Sequence, residues 1–152
     1  MTTPTTPTTA QRPAKPAPAL TPELADGIRR ALGHGHTIDI TTTGRRTGEE
    51  RRIEITFHSF DGHVYISGMP NPNGTRAWLL NLRANPDFTF HMKQLVQADL
   101  PATAREITED PERLAVLEKI ARVWRRDVEP MRTFSPLIEV SIPGFAPVAT
   151  TA

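Results

Sequence analysis

From residue 20 onward the spacing of apolar side chains switches between two periods, and each switch marks a new element. Leu24, Ile28, Ala31 and Leu32 recur at helical spacing. This run begins at Thr21-Pro22-Glu23, a hydroxyl cap with proline in the first turn and a carboxylate near the positive end of the dipole. Gly33 and Gly35 end it, so a short amphipathic helix is predicted. The period then falls to two. Ile38, Ile40 and Thr42 alternate with Thr37, Asp39 and Thr41, and after a glycine-bounded loop Ile53, Ile55 and Phe57 alternate with Arg52, Glu54 and Thr56. These are two strands of a hairpin with one buried face. Asp61-Gly62 signals a tight turn into a third strand through Val64, Tyr65 and Ile66.

The segment from Gly68 to Gly74, rich in proline, asparagine and glycine, reads as a loop. Thr75 opens a second helix carrying Ala77, Trp78, Leu79, Leu80 and Leu82, which Asn85-Pro86 stops. Phe88, Phe90 and Met92 restore a period of two, and a further strand is expected from about Ala102 to Ile107, after Pro101 breaks the pattern. Glu109-Asp110-Pro111-Glu112 starts the longest helix, with Leu114, Leu117, Ile120, Ala121 and Trp124 on one face. Pro130 ends that region, and Leu137, Ile138, Val140 and Ile142 form a last strand before Pro143-Gly144. Six mostly antiparallel strands and three helices, with helices between groups of strands, predict an α+β domain and a closed or partly closed barrel. The predicted domain spans residues 20–145.

Composition adds the ends. Residues 1–19 are almost entirely Thr, Pro and Ala and offer no large apolar side chain to offset ordering entropy, which predicts a disordered tail. A docking arm is the alternative, although the segment holds only Arg12 and Lys15 as basic residues and no aromatic anchor. Residues 146–152 are expected to fray. Lys and Arg number 18 against 17 Asp and Glu, so the whole-chain charge calls for neither nucleic acid nor an anionic membrane as partner. The absence of cysteine excludes disulfides, thiolate metal sites and cysteine nucleophiles. No apolar run approaches the roughly 20 residues that span a bilayer. A soluble, cytoplasmic protein is expected.

The segment Thr41-Thr42-Thr43-Gly44-Arg45-Arg46-Thr47-Gly48-Glu49-Glu50-Arg51-Arg52 concentrates the candidate chemistry. Backbone N–H groups freed by a glycine turn, with guanidinium forks beside them, suit a phosphate or carboxylate. The same residues also describe an ordinary solvated hairpin tip in which Glu49 and Glu50 neutralise their neighbours. Residue types leave both readings open. His34 and His36 are spaced to chelate, but no third ligand is placed beside them, so no metal is expected. His58 and His91 fall on the strand faces opposite the apolar residues, which suggests a surface or pocket-wall position. Trp124 continues an apolar stripe and reads as core, whereas Trp78 suits either core or the wall of a site.

Taken in order, the Thr-Thr-Thr-Gly-Arg-Arg-Thr-Gly loop, Arg51-Arg52-Ile53-Glu54-Ile55, Val64-Tyr65-Ile66-Ser67-Gly68, Arg76 to Pro86, and Ala102-Thr103-Ala104-Arg105 resemble the deazaflavin-dependent nitroreductase and quinone reductase family. The similarity runs from about Thr37 to Trp124. It implies a split β-barrel of the FMN-binding-like kind that binds coenzyme F420 and transfers hydride from its reduced form to a small organic acceptor, a quinone or nitro compound. On this resemblance Arg45 and Arg46 would lie near the coenzyme's phosphate and glutamate tail, and Thr47 of the same loop would also bind the coenzyme. Arg51 falls on the recurrent basic position after the loop, and the backbone of Ile53, Glu54 and Ile55 would line the ring. Ser67 and Gly68 would approach the phosphate, and Trp78 and Asn81 would support the site from the helix. No acid or base side chain is obligatory. Glu54 stands where the family often has proline, Met69 where it has a lysine-bearing loop, and Tyr65 is the only tyrosine. Those departures keep a second reading in view, a non-catalytic or differently loaded barrel that binds FMN, a tetrapyrrole or a lipid, and a third is a structural partner of another redox protein with the Pro/Thr tail as its tether. Related folds often complete their sites across a dimer, which leaves a homodimer open.

Overall fold

The computed structural model describes residues 20–145. The expectations for the tail at 1–19 and the end at 146–152 lie outside the described residues. Helix α1 (Pro22–Leu32) starts as its sequence requires, with the Leu24 N–H donating to Thr21 Oγ1 at 3.0 Å, and it buries Ile28, Ala31 and Leu32. Strands β1 (Thr37–Thr43) and β2 (Glu50–Phe60) pair antiparallel from Thr37 opposite Thr56 to Thr43 opposite Glu50. Asp61 and Gly62, at φ 53° and 80°, supply the two left-handed residues that a tight hairpin needs, and lead into β3 (His63–Ser67). The chain continues through α2 (Ala77–Ala84), β4 (Asp87–Met92), β5 (Ala98–Glu106), α3 (Glu112–Trp124), α4 (Val128–Phe134) and β6 (Leu137–Ser141). The strands close into an antiparallel barrel in the order β1-β2-β3-β6-β5-β4, with β4 returning to β1.

Three details depart from expectation. Strand β5 begins at Ala98 and carries Pro101 within it, opposite Thr89 of β4. The Ala104 N–H donates to Pro86 O of the β4 side, so by alternation the nitrogen of Pro101 faces the other side, which β6 reaches only from Thr103 onward. The missing donor therefore breaks no ladder bond. Four helices are present rather than three. Pro130 lies in the first turn of α4, where its absent N–H costs nothing, and Asp127 caps that turn by accepting from the Glu129 N–H at 3.1 Å. Helix α2 begins at Ala77, two residues later than Thr75, because Arg76 is its extended cap.

Two apolar clusters hold the fold. Inside the barrel Ile38, Ile40, Phe57, Ile66 and Phe90 pack with α1 residues Ile28 and Leu32. Outside it, α3 and α4 cover the wall through Leu117, Ile120 and Met131 against Tyr65, Ile107 and Leu137, with Trp124 partly buried there. Cover by α3 also corrects the place of His58. It is on the outer face as alternation requires, yet only 4% exposed, with Trp124 edge-on at 5.0 Å and Phe60 stacked at 6.1 Å. His91 is buried too, with Nε2 2.7 Å from Thr41 Oγ1 and Nδ1 2.7 Å from Asp99 Oδ1. Among the described residues no helix is long and apolar enough to cross a membrane.

Candidate functional site

The bend between β1 and β2 is built by its glycines. The Gly44 N–H donates to Glu49 O at 2.7 Å and the Gly48 N–H to Gly44 O at 2.8 Å, while Gly48 adopts φ 78°, a left-handed conformation that side chains resist. A Cβ on Gly44 would meet Glu49 O at 2.9 Å. Thr47 Oγ1 accepts from the Glu49 N–H at 3.1 Å and tightens the return to β2.

Asn81 of α2 fastens this bend to the helix. It is 3% exposed, and its Oδ1 accepts from both the Arg45 N–H at 3.1 Å and Arg45 Nη1 at 3.0 Å, while its Nδ2 donates to Thr42 Oγ1 at 3.1 Å. A satisfied buried amide of this kind fixes one geometry, because loss of any partner leaves a desolvated polar group. Between bend and helix opens a cleft of about 690 Å³. Arg45, Arg46, Arg51 and Arg76 line it, with Ile53 and Trp78 as its apolar wall. No carboxylate among the described residues lines it. Arg76 donates to Met69 O at 2.7 Å and Arg45 to an amide, so neither charge is met by an acid; Arg51 approaches Glu49 only at 3.7 Å on the surface. The first turn of α2, which has no side-chain cap, opens into the same space and adds the positive end of its dipole.

Of the expected residues, Arg45, Arg46, Thr47, Arg51, Ile53, Trp78 and Asn81 come together here. Four do not. Glu54 points to the outer face, where its carboxylate lies 2.5 Å from Lys93 Nζ, and Ile55 packs against the barrel interior. Ser67 is buried and donates through Oγ to Pro136 O at 2.6 Å, tying β3 to the start of β6. Gly68 stays outside the cleft wall but has a reason to be glycine, since a Cβ there would lie 2.9 Å from Arg76 Cζ. Sequence reasoning passed over Arg76, Thr42, Gly44 and Ala77 as lining residues. Arg76 stood two residues before Trp78 in a recognised segment, but only the fold shows its guanidinium folding back to the Gly68-Met69 backbone. Lys93, hydrogen-bonded to Asp39 at 2.6 Å, holds that carboxyl below the usual carboxylate range, with Arg52 adding from 2.9 Å. The opposed acids Asp39 and Glu54 are thus neutralised away from the cleft. Among the described residues no group of three or more His, Asp or Glu is placed to hold a metal.

A closed six-stranded antiparallel barrel, with a basic cleft between its first hairpin and the following helix, places the molecule among the split-barrel cofactor-binding proteins. Comparison with known proteins narrows this. The sequence model of the F420H(2)-dependent quinone reductases matches residues 24–142. Among solved structures, an F420-H2 dependent reductase (FDR-A) is 22% identical with a TM-score of 0.54, the match covering 69% of this chain and 93% of that one. A domain-swapped dimer matches with 22% identity and a TM-score of 0.53, over 69% of this chain and 79% of the other. The heme storage protein HutZ from Vibrio cholerae shares the fold at 15% identity and a TM-score of 0.54, over 80% of this chain and 88% of its own. The chain belongs to the F420H(2)-dependent quinone reductase family. It is accordingly an oxidoreductase whose cofactor is coenzyme F420. The donor set fits an anionic coenzyme: four guanidiniums and a helix N-terminus beside an apolar wall.

Proposed function

We propose that the acceptor is a small quinone or nitro compound and that the cleft between the first hairpin and α2 holds the coenzyme during its reduction. The observation that carries this reading is the lining of that cleft, four arginines with no carboxylate among the described residues. When bound, the reduced coenzyme supplies a hydride, and a quinone that takes it together with a proton becomes the hydroquinone. Arg46 and Arg76 would bind anionic groups, Arg45 would do so while held in place by Asn81, and Arg51 would add charge at the rim. Ile53 and Trp78 would exclude water on one side of the ring-binding space, and Asn81 would orient the bend. Proton delivery needs no dedicated side chain in this scheme. A homodimer and a cytoplasmic setting complete the reading, the first supported by the domain-swapped dimer among the similar structures and the second by a cysteine-free chain.

Titration with oxidised coenzyme F420, followed by its fluorescence, tests the cleft, and turnover of the reduced form with a naphthoquinone and a nitroaromatic tests the acceptor. Saturable binding with oxidation by at least one acceptor is expected. Coenzyme binding with neither acceptor reduced would overturn the acceptor class and leave the cofactor intact; no binding at micromolar concentrations would remove the role of the cleft.

A further inference from the structure

Arg76 has a second cavity on its other side. This space, about 450 Å³, lies between the loop from Asn71 to Arg76, α2 and α4. Four of its lining residues are arginines, Arg76, Arg83, Arg113 and Arg132. Two carboxylates answer them: Glu106 takes Arg83 in a two-pronged bond at 2.8 Å, and Asp110 takes Arg132. Arg76 and Arg113 are left without an acid partner among the described residues.

These two differ in what they offer. Arg113 donates to the carbonyls of Ile107, Met131, Arg132 and Ser135, which satisfies the open end of α4 and fixes that wall of the cavity. It therefore contributes charge rather than free donors. Arg76 makes one bond, to Met69 O, and keeps donors for a ligand, and Thr75, Thr108 and Thr133 also line the space. Leu79 and Phe134 give an apolar surface. A charged rim, uncommitted donors and an apolar floor of this size suit a small organic acid with one flat apolar part.

We propose that this cavity is a binding site for a small carboxylate, separate from the coenzyme cleft and joined to it through Arg76. The proposal rests on the coenzyme reading only for the identity of its neighbour. The test uses the full chain with and without saturating F420, and benzoate as probe with benzyl alcohol as its neutral counterpart, followed by NMR titration. Benzoate binds in the millimolar range or tighter and shifts resonances of Thr75, Thr108 and Thr133, whereas benzyl alcohol binds at least about tenfold more weakly. Arg83→Gln removes one cation and unpairs Glu106, so benzoate affinity falls about tenfold or more while F420 affinity stays as in the wild type; Arg83→Lys recovers much of the loss. Saturating F420 leaves benzoate binding in place. Equal binding of benzyl alcohol, indifference to Arg83→Gln, or displacement of benzoate by F420 would each overturn the proposal. If F420 itself fails to bind, the coenzyme reading fails, and the Arg83 variants still decide this cavity.

Discussion

The buried imidazole between β2 and α3 makes the stability of this protein depend on pH in a way that can be isolated. Burial pushes the His58 pKa down from 6.5 to about 4. Its Nε2 has no hydrogen-bond partner among the described residues, and Phe60 and Trp124 pack around the ring. The folded state therefore holds His58 neutral, while the unfolded chain binds a proton as pH falls below about 6.5. Stability that is complete above that pH is lost progressively on acidification, and the loss ends near the folded value of about 4. For a shift of this size the loss is about 2 kcal/mol at pH 5. In a domain of this length that lowers the Tm by about 6–10 °C. Asp39, Asp61 and Glu112, whose carboxyls hydrogen bonds from Lys93, Lys119 and Arg105 hold below the usual range, add their own acid sensitivity. His58→Phe cancels only the imidazole, so the quantity to measure is the difference between variant and wild type. Urea unfolding at pH 7.5 and pH 5 should show the wild type losing about 2 kcal/mol more than His58→Phe. Equal pH dependence in the two proteins, or an NMR titration placing His58 near 6.5 in the folded state, would refute the reasoning.

Three further outcomes concern the cleft. Asn81→Leu strips the Arg45 N–H and Thr42 of a buried partner, so F420 binding should weaken by roughly 5- to 30-fold, as the 1–2 kcal/mol cost of unsatisfied polar groups implies. Fluorescence titration reads this, and an unchanged Kd would show that the bend does not need the amide. Gly68→Ala places a Cβ 2.9 Å from the movable end of Arg76, so urea unfolding should be near wild type while F420 affinity drops; a large loss of stability would mean that the guanidinium cannot yield. Arg46→Gln should weaken F420 binding and flatten its dependence on ionic strength, measured between low and physiological salt; an unaltered salt slope would place Arg46 away from the ligand's charge.

The barrel was legible because β1, β2 and β4 announce their inward faces by alternating apolar residues, and Asp61-Gly62 fixes the register of β2 against β3. Helix α4 was hidden because seven residues carry too little periodicity, and Pro130 reads as a terminator unless its place in a first turn is known. Pro101 misled for a related reason, since whether a strand tolerates proline depends on which neighbour it lacks, and that is a property of the closed sheet. The basic bend was visible as a cluster of arginines but not as a site. Choosing between a solvated tip and a ligand cleft requires knowing that Asn81, 36 residues from Arg45, is buried against it. Arg76 was missed because its contact with Met69 runs backward along a loop whose course residue types do not give.

A chain with nearly balanced charge acquires a strongly basic cleft through strand parity. Ile53 and Glu54 are neighbours, and the two-residue period of β2 sends the first to the cleft and the second to Lys93 on the opposite face. A slip of one residue in that strand would exchange them and put a carboxylate among the guanidiniums. The same sorting recurs on β6, where Glu139 meets Arg105 of β5 on the outer surface. Every acid so engaged is withheld from the hairpin end, and Arg45, Arg46 and Arg76 keep their charge for a ligand because the sheet's register, rather than the composition, decides where the carboxylates go.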